Sequence, residues 1–133
     1  MSRGLLDTST LILLGRLTDI AELPDELVIS SITLAELSVG PLVAANDDVR
    51  AARQAHLQLA EADFQALPFD DAAARAFGSV AASLRANGRK PTARSYDAMI
   101  AAVAIANDLT LYTCNPRDFT GIAGLRVIRV DFE

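Results

Sequence analysis

Residues 4–14 read GLLDTSTLILL, and this stretch decides how the rest of the chain is interpreted. Its apolar start is typical of a short strand, which Asp7 ends, and Ser9 or Thr10 is then expected to cap a helix. An acid at the end of a buried strand is costly unless it has partners, so Asp7 is the first candidate functional residue. A hydroxyl hydrogen bond from Ser9 could also satisfy it structurally, and the residues alone leave both interpretations open.

Outward from this stretch, short strand-like runs alternate with helical patterns. The predicted strands are 4–6, 27–30, 67–69, 109–113 and 126–130, and the predicted helices begin near Ser9, Thr33, Asp47, Asp70 and Ser95. This alternation indicates an α/β fold whose parallel sheet is covered on both faces, with right-handed crossovers. The helix that begins at Thr33 is expected to stop or kink at Gly40-Pro41.

The composition fits one folded domain over residues 1–133. Hydrophobic residues make up 51% of the chain and charged residues 22%, the balance of a globular protein. The single cysteine, Cys114, excludes an internal disulfide framework and a cysteine-rich metal site, so a reducing, cytoplasmic setting is expected. No apolar run reaches the roughly 18 residues that a membrane span needs, so we expect no membrane partner.

The net charge of −5 restricts how this chain could bind nucleic acid. A protein that holds nucleic acid only through the phosphates should be basic. This chain therefore either binds no nucleic acid or meets phosphate through bound cations and a local basic patch.

Four carboxylates fall where a parallel sheet would bring them to one edge. Ligands of open α/β sheets bind beyond the carboxyl ends of the strands. Asp7 ends the first strand, Asp118 follows the strand 109–113, and Glu36 and Asp97 are predicted in the first turns of helices. At about 4 Å, one pair of like charges costs on the order of 4 kcal/mol at an effective dielectric near 20. Such a cluster survives by protonation or by binding cations, and oxygen ligands suit Mg²⁺ or Mn²⁺.

Each of these residues also has a purely structural interpretation. Thr33 and Glu36 fit a capping box, and taken alone that motif favours a helix cap over a metal ligand. Asn115 precedes Pro116 and could cap a helix. Asp97 could simply interact favourably with the dipole of its own helix. The four acids together are more informative than any one of them.

Four segments together resemble the PIN-domain family and, within it, the VapC-like toxins of bacterial toxin–antitoxin pairs. They are LLDTS at 5–9, SITLAEL at 31–37, SYDAMIAAVAIAND at 95–108 and LYTCNPRDF at 111–119, followed by a closing VIRVDF. The resemblance covers nearly the whole chain. It implies a three-layer α/β/α sandwich with a short parallel sheet and a magnesium- or manganese-dependent endoribonuclease. It also implies a homodimer and a small cognate antitoxin whose tail blocks the active site.

The resemblance also implies roles for individual residues. It implies a catalytic quartet of acids, Asp7, Glu36, Asp97 and Asp118, with Asp7 and Asp97 as the central metal ligands. It implies three supporting residues, of which Ser9 and Thr113 brace the acids with their hydroxyls and Asn115 stands where some relatives carry a further acid. An amide cannot replace the charge of a carboxylate, so a tightly held second ion is in doubt.

Basic residues before Asp97 and beside Asp118 form a candidate RNA-binding rim, which comprises Arg89, Lys90, Arg94 and Arg117. Cationic side chains near an acidic site suit the phosphates of a nucleic acid backbone. The alternatives are a solvated loop for the first three and an ion pair with an acid for Arg117.

Two other functions are weighed against the nuclease. A phosphoester hydrolase could use Asp7 as its nucleophile, but the position two residues later is Ser9 rather than a second Asp, and the only lysine, Lys90, lies in a predicted loop. A catalytically weak PIN-fold interaction module would not need the acids, and the complete quartet argues against it.

Overall fold

The chain folds into a five-stranded sheet with helices on both faces. The structure, a computed structural model, describes residues 2–90 and 95–133. In these ranges the strands are β1 (Arg3–Leu6), β2 (Glu26–Ser30), β3 (Ala66–Leu67), β4 (Thr110–Thr113) and β5 (Val127–Arg129). The helices are α1 (Thr8–Ile12), α2 (Ser31–Leu42), α3 (Asp47–Asp63), α4 (Asp71–Ala86) and α5 (Ser95–Ala106). The predicted α/β/α fold with a short parallel sheet is confirmed.

The sheet places β1 at its centre. The strand order is β3-β2-β1-β4-β5, and every neighbouring pair is parallel. Leu5 of β1 lies opposite Val28 of β2 on one side and Leu111 of β4 on the other. The carboxyl ends of these three strands therefore lie side by side, and the residues that follow them share one edge of the sheet.

Successive side chains of the central strands enter two separate cores. Leu5 and Val28 pack with α4 and α5 on one face, whereas Leu6 and Ile29 pack with α1, α2 and α3 on the other. All four side chains are fully buried. Burial of one such side chain contributes about 1.5–3 kcal/mol, so both faces of β1 and β2 fix the position of the residues beyond them.

The first two strands run directly into the helices that follow them. Asp7, at φ −82° and ψ 172°, caps α1, and Ser30, at φ −92° and ψ 151°, caps α2. The expectation that Ser9 or Thr10 caps the first helix was therefore wrong. The last residue before each helix already has the extended backbone that an N-cap requires, so no later hydroxyl is needed.

This junction also moves Glu36 relative to its predicted place. The second helix was expected to begin at Thr33, but it begins at Ser31, and Thr33 is buried within it. Glu36 therefore lies in the second turn rather than the first. The capping-box interpretation of Thr33 and Glu36 is wrong, because the Oγ of Ser30 accepts the amide N–H of Ile32 at 2.9 Å and caps this helix.

Other boundaries fall within a few residues of their predicted places. Asn46 caps α3 instead of Asp47 or Asp48, since its Oδ1 accepts the amide N–H of Val49 at 2.9 Å. Asp70 caps α4 as predicted, accepting the amide N–H of Ala73 at 3.0 Å. Helix α2 ends at Leu42, one residue beyond the predicted stop. Within residues 2–90 and 95–133, no helix is both long and apolar enough to cross a membrane.

Candidate active site

Asp7 lies at the carboxyl end of the central strand and is only 3% exposed. Its Oδ1 accepts the amide N–H of Thr10 at 3.3 Å, which is the capping bond of α1. Its Oδ2 accepts the hydroxyl of Thr113 at 2.8 Å and that of Ser9 at 3.4 Å. Strand β4, helix α1 and strand β1 thus converge on one carboxylate and hold it in a single orientation.

The charge of this carboxylate is not compensated by a cation. Burial raises the pKa of Asp7, and the hydrogen bonds from Thr10, Thr113 and Ser9 lower it by less. Within the described part of the chain, no arginine, lysine or histidine forms an ion pair with Asp7. The site therefore holds a negative charge that a positive ligand would stabilise.

Glu36 extends the acidic site across to α2. The hydroxyl of Thr8 donates to its Oε1 at 2.5 Å, and the same hydroxyl lies 3.0 Å from the hydroxyl of Thr33. Burial raises the pKa of Glu36, the Thr8 hydrogen bond lowers it, and the negative charge of Asp7 raises it further. The negative charge of Asp7 therefore reaches Glu36.

The segment after β4 joins the site through Asn115. Its side-chain amide donates to the hydroxyl of Ser9 at 3.1 Å, and its backbone N–H donates to the hydroxyl of Thr113 at 3.0 Å. Ser9 and Thr113 both donate to Asp7, so a single hydroxyl group lies between Asn115 and that carboxylate. Asn115 precedes a short 3-10 helix, Pro116–Phe119, that carries the half-buried Asp118.

The direction of α5 places Asp97 at the same edge of the sheet. The helix ends at Ala106, and three residues separate it from the amino end of β4 at Thr110. Its twelve residues span about 18 Å, more than the roughly 13 Å of a four-residue strand, so its first turn reaches the carboxyl edge. Asp97 lies in that first turn, is half-buried and belongs to a helix that packs against the 3-10 helix Pro116–Phe119.

The chemistry of the donors suits a divalent ion held loosely. The buried and unpaired carboxylate of Asp7, with Glu36 nearby, supplies the hard oxygen ligands that Mg²⁺ and Mn²⁺ prefer. Among the residues that the structure describes, no group of three or more His, Cys, Asp or Glu side chains is close enough to form a ready metal cage. Mg²⁺ fits this arrangement, because it keeps several waters and needs only one or two carboxylates.

The residues of the candidate RNA-binding rim differ in their hydrogen bonds and exposure. The guanidinium of Arg89 donates to the carbonyl oxygens of Arg117 at 2.7 Å and Thr120 at 3.4 Å, so it holds the 3-10 helix rather than pointing freely to solvent. The side chains of Lys90 and Arg117 are exposed. Arg94 lies outside the described residues.

Two residues that were not predicted to belong to the site contribute to it. Thr8 is hydrogen-bonded to Glu36, and Thr10 gives its amide to Asp7 while its hydroxyl accepts the N–H of Cys114 at 2.9 Å. Their only signal in the sequence is that they follow Asp7. Cys114 is itself buried, and burial raises the pKa of its thiol.

Comparison with known proteins identifies the family. A family model described as PIN domain matches residues 5–125. The chain belongs to the PIN-domain family. The match begins two residues before Asp7 and includes every candidate acid, so all four carboxylates lie within the PIN domain.

Individual relatives of this PIN domain match it over most of its length. The protein named Ribonuclease VapC5 from Mycobacterium tuberculosis (strain ATCC 25618 / H37Rv) is 42% identical over 132 residues, which cover 96% of this chain and 95% of that protein. Ribonuclease VapC8 from Mycobacterium tuberculosis (strain CDC 1551 / Oshkosh) is 36% identical over 101 residues, covering 76% of this chain and 89% of that protein.

Solved structures with the same fold include a member of the VapBC family of toxin–antitoxin systems. One is VapBC-5 from Mycobacterium tuberculosis, with a TM-score of 0.82, 39% identity and coverage of 97% of this chain and 99% of that chain. Another is DNA-bound VapBC from Salmonella typhimurium, with a TM-score of 0.73, 27% identity and coverage of 97% of this chain and 98% of that chain.

Proposed function

We propose that this PIN domain is a metal-dependent endoribonuclease and the toxin of a toxin–antitoxin pair. Its relatives carry the name ribonuclease, and the structures that share its fold are toxin–antitoxin complexes. The observation that carries the proposal is the buried carboxylate of Asp7, which has three hydrogen bonds, a second acid within electrostatic reach and no cation among the described residues.

Asp7 and Asp97 are the residues we propose to hold Mg²⁺ or Mn²⁺. Thr113 and Ser9 fix the orientation of Asp7, so its carboxylate is preorganised before an ion arrives. A bound divalent ion would supply charge neutralisation at the phosphate and a lower pKa for water. Asn115 brings an amide where some relatives have an acid, and we propose a single ion rather than two for that reason.

Glu36 and Asp118 are the residues we propose to act on water. A carboxylate that orients or deprotonates water must be ionised and held in place. Thr8 holds Glu36 with a short hydrogen bond, and the 3-10 helix holds Asp118 beside Asn115. In-line attack by that water would leave a 5′-phosphate and a 3′-hydroxyl on the RNA.

An apolar groove beside Glu36 supports a protein partner. The groove has a volume of about 210 Å³ and is lined by Thr8, Ile12, Glu36, Leu37, Gly40, Arg53 and His56. Ile12 is 42% exposed, and Leu42 at the end of α2 is 85% exposed. We propose that a small cognate antitoxin covers this region and so blocks the acids, and that the toxin forms a homodimer. That residues 1–133 form a single domain stays a prediction.

Incubation with total RNA and Mn²⁺, followed by mapping of the new ends, tests the proposed function. Wild type should produce discrete fragments with 5′-phosphates, and both a chelator and Asp7→Ala should abolish them. Asp63→Ala is the matched control, because it removes an exposed acid at the end of α3, away from the site.

Two outcomes would contradict the proposal. Failure of the folded wild type to cut any RNA in Mn²⁺ would favour an interaction module. Hydrolysis of a simple phosphoester together with intact RNA would favour a phosphoester hydrolase.

A further inference from the structure

A polar pocket opens next to the acids on the β5 side of the site. It has a volume of about 550 Å³ and is lined by Arg89, Cys114, Asn115, Pro116, Arg117, Asp118 and Arg129. Of its charged side chains, three are arginines and one is a carboxylate. The chain carries a net charge of −5 and only 12 Lys and Arg, so this pocket concentrates a quarter of its basic residues.

The three arginines differ in how they are engaged. Arg89 is committed to the carbonyl oxygens of Arg117 and Thr120. Within the described residues, the side chain of Arg117 makes no hydrogen bond or ion pair, and it is exposed. Arg129 pairs with Asp131 at 3.1 Å, but both side chains are largely exposed, at 71% and 61%. An exposed pair contributes about 0–1 kcal/mol, so an incoming anion could replace Asp131.

The pocket borders the acidic site through two of its lining residues. Asn115 and Asp118 line it. Asn115 donates to Ser9, which donates to Asp7, so two hydrogen bonds lead from the pocket wall to the buried carboxylate. On the opposite side of the site, the groove beside Glu36 is mainly apolar, and Arg53, one of its two basic residues, donates to the carbonyl oxygen of Gly40. The two sides of the acids therefore offer different chemistry.

We propose that this pocket is a subsite for an RNA phosphate that neighbours the scissile one, with Arg117 and Arg129 as its contacts. The inference rests on the proposed ribonuclease function. It adds the direction of the bound RNA strand, which runs from the acids towards β5. Guanidinium groups suit phosphate oxygens because they can donate two parallel hydrogen bonds. Arg89 is not a contact in this account, since it holds the segment that carries Arg117.

The salt dependence of cleavage tests the subsite. Cleavage of a labelled single-stranded RNA in Mn²⁺ gives kcat/KM at several KCl concentrations for wild type, Arg117→Gln, Arg129→Gln and the double variant. The slope of log kcat/KM against log salt concentration is negative, and each lost phosphate contact should make it less steep by about 0.7 for a single strand. Each single variant should also lose roughly tenfold in kcat/KM at low salt.

Arg50→Gln is the matched control. Arg50 is an exposed arginine on α3 that pairs with a nearby aspartate, as Arg129 does, but it lies far along the chain from the pocket. Its loss removes the same charge and should leave the slope unchanged. An equal change in this control would show a general charge effect and overturn the subsite.

The failure of the subsite and the failure of the proposed function give different results. If wild type cuts RNA and both arginine variants keep its slope and rate, the subsite is wrong and the ribonuclease stands. If folded wild type neither cuts nor binds RNA, the proposed function fails and the subsite with it.

Discussion

Asp7 carries a carboxylate in a place that offers it almost no water and, among the described residues, no cation. Three hydrogen bonds compensate for part of the lost hydration. The rest appears as a raised pKa, because burial disfavours the charged form of this group. A side chain that lowers stability unless it is neutralised is a common feature of functional sites.

The pH dependence of stability should therefore change in Asp7→Asn. The folded-state pKa of Asp7 lies above its ordinary value of 3.8, so between these two values the folded state holds a proton that the unfolded state has lost. The contribution of this group to stability consequently falls as pH rises through that window. Asn is neutral at every pH, and its advantage over wild type should grow with pH.

Melting temperatures measured in a chelator from pH 3.5 to 8, a range of about 4 pH units around the window, check this expectation. The variant should melt higher than wild type near neutral pH and approach it in acid. A variant that melts lower than wild type at neutral pH would contradict the uncompensated charge.

Thr8→Val should shift the pH profile of cleavage. The hydroxyl of Thr8 lowers the pKa of Glu36, so its removal raises that pKa further. If ionised Glu36 acts on water, the acidic limb of the kcat profile should move to higher pH, with a loss of roughly tenfold near that limb. Thr8→Ser keeps the hydroxyl and should restore the profile. An unchanged acidic limb in Thr8→Val would assign the role to Asp118 instead.

The acids of the site were easier to predict from the sequence than the groups that hold them. Asp7 was evident because an acid ended an apolar strand. Its bond to Thr113 depends on β1 pairing with β4, 106 positions away in sequence, and no local pattern contains that pairing. Thr8 was missed for a similar reason, since its bond to Glu36 depends on the packing of α1 against α2.

The junctions between strands and helices explain which element boundaries were predictable. Strand positions followed from apolar runs, and β2 and β4 were predicted to within one residue. The caps of α1 and α2 were not, because these helices follow their strands without a loop. Several polar residues in a row then compete to cap each helix, and only the backbone conformation selects Asp7 and Ser30.

The end of α4 fixes the segment that carries Asp118. Asn87 donates to the carbonyl oxygen of Gly121 at 3.1 Å, and the hydroxyl of Ser83 accepts the N–H of Ala123 at 3.2 Å. Arg89 adds its two bonds to the carbonyl oxygens of the 3-10 helix segment. Arg89 is thus a positioning residue for Asp118.

Arg89→Ala should lower kcat while leaving the salt dependence of cleavage near that of wild type. The loss should be about tenfold, because a misplaced carboxylate acts poorly on water. Arg85→Ala is the control, because it removes an exposed arginine from the last turn of α4, and it should behave as wild type. A reduced salt slope in Arg89→Ala would mean that this side chain contacts RNA directly.

The whole molecule separates its charges by region. An overall charge of −5 coexists with a pocket of three arginines beside the acids. A local basic patch was expected from the overall negative charge, but no local pattern indicates that Arg129, at the end of β5, joins Arg117 there. That proximity follows from the strand order, in which β5 lies next to β4.

A divalent ion should stabilise the folded chain as a whole. If Asp7 is a ligand, Mn²⁺ binds the folded state and not the unfolded one. Stability then rises by about 2.7 kcal/mol when the ion is at one hundred times its dissociation constant. Thermal melts in Mn²⁺ and in a chelator should differ for wild type and coincide for Asp7→Asn. An equal shift in both proteins would place the ion elsewhere.

The cleavage rate of Asp7→Asn tests the central claim most directly, because the variant keeps the size of the side chain and removes its negative charge. The claim predicts that Asp7→Asn, folded and at least as stable as wild type, cleaves RNA in Mn²⁺ on the order of a thousandfold more slowly. A rate within a few fold of the wild-type rate would contradict it, because the hydrolysis would then not depend on the buried charge.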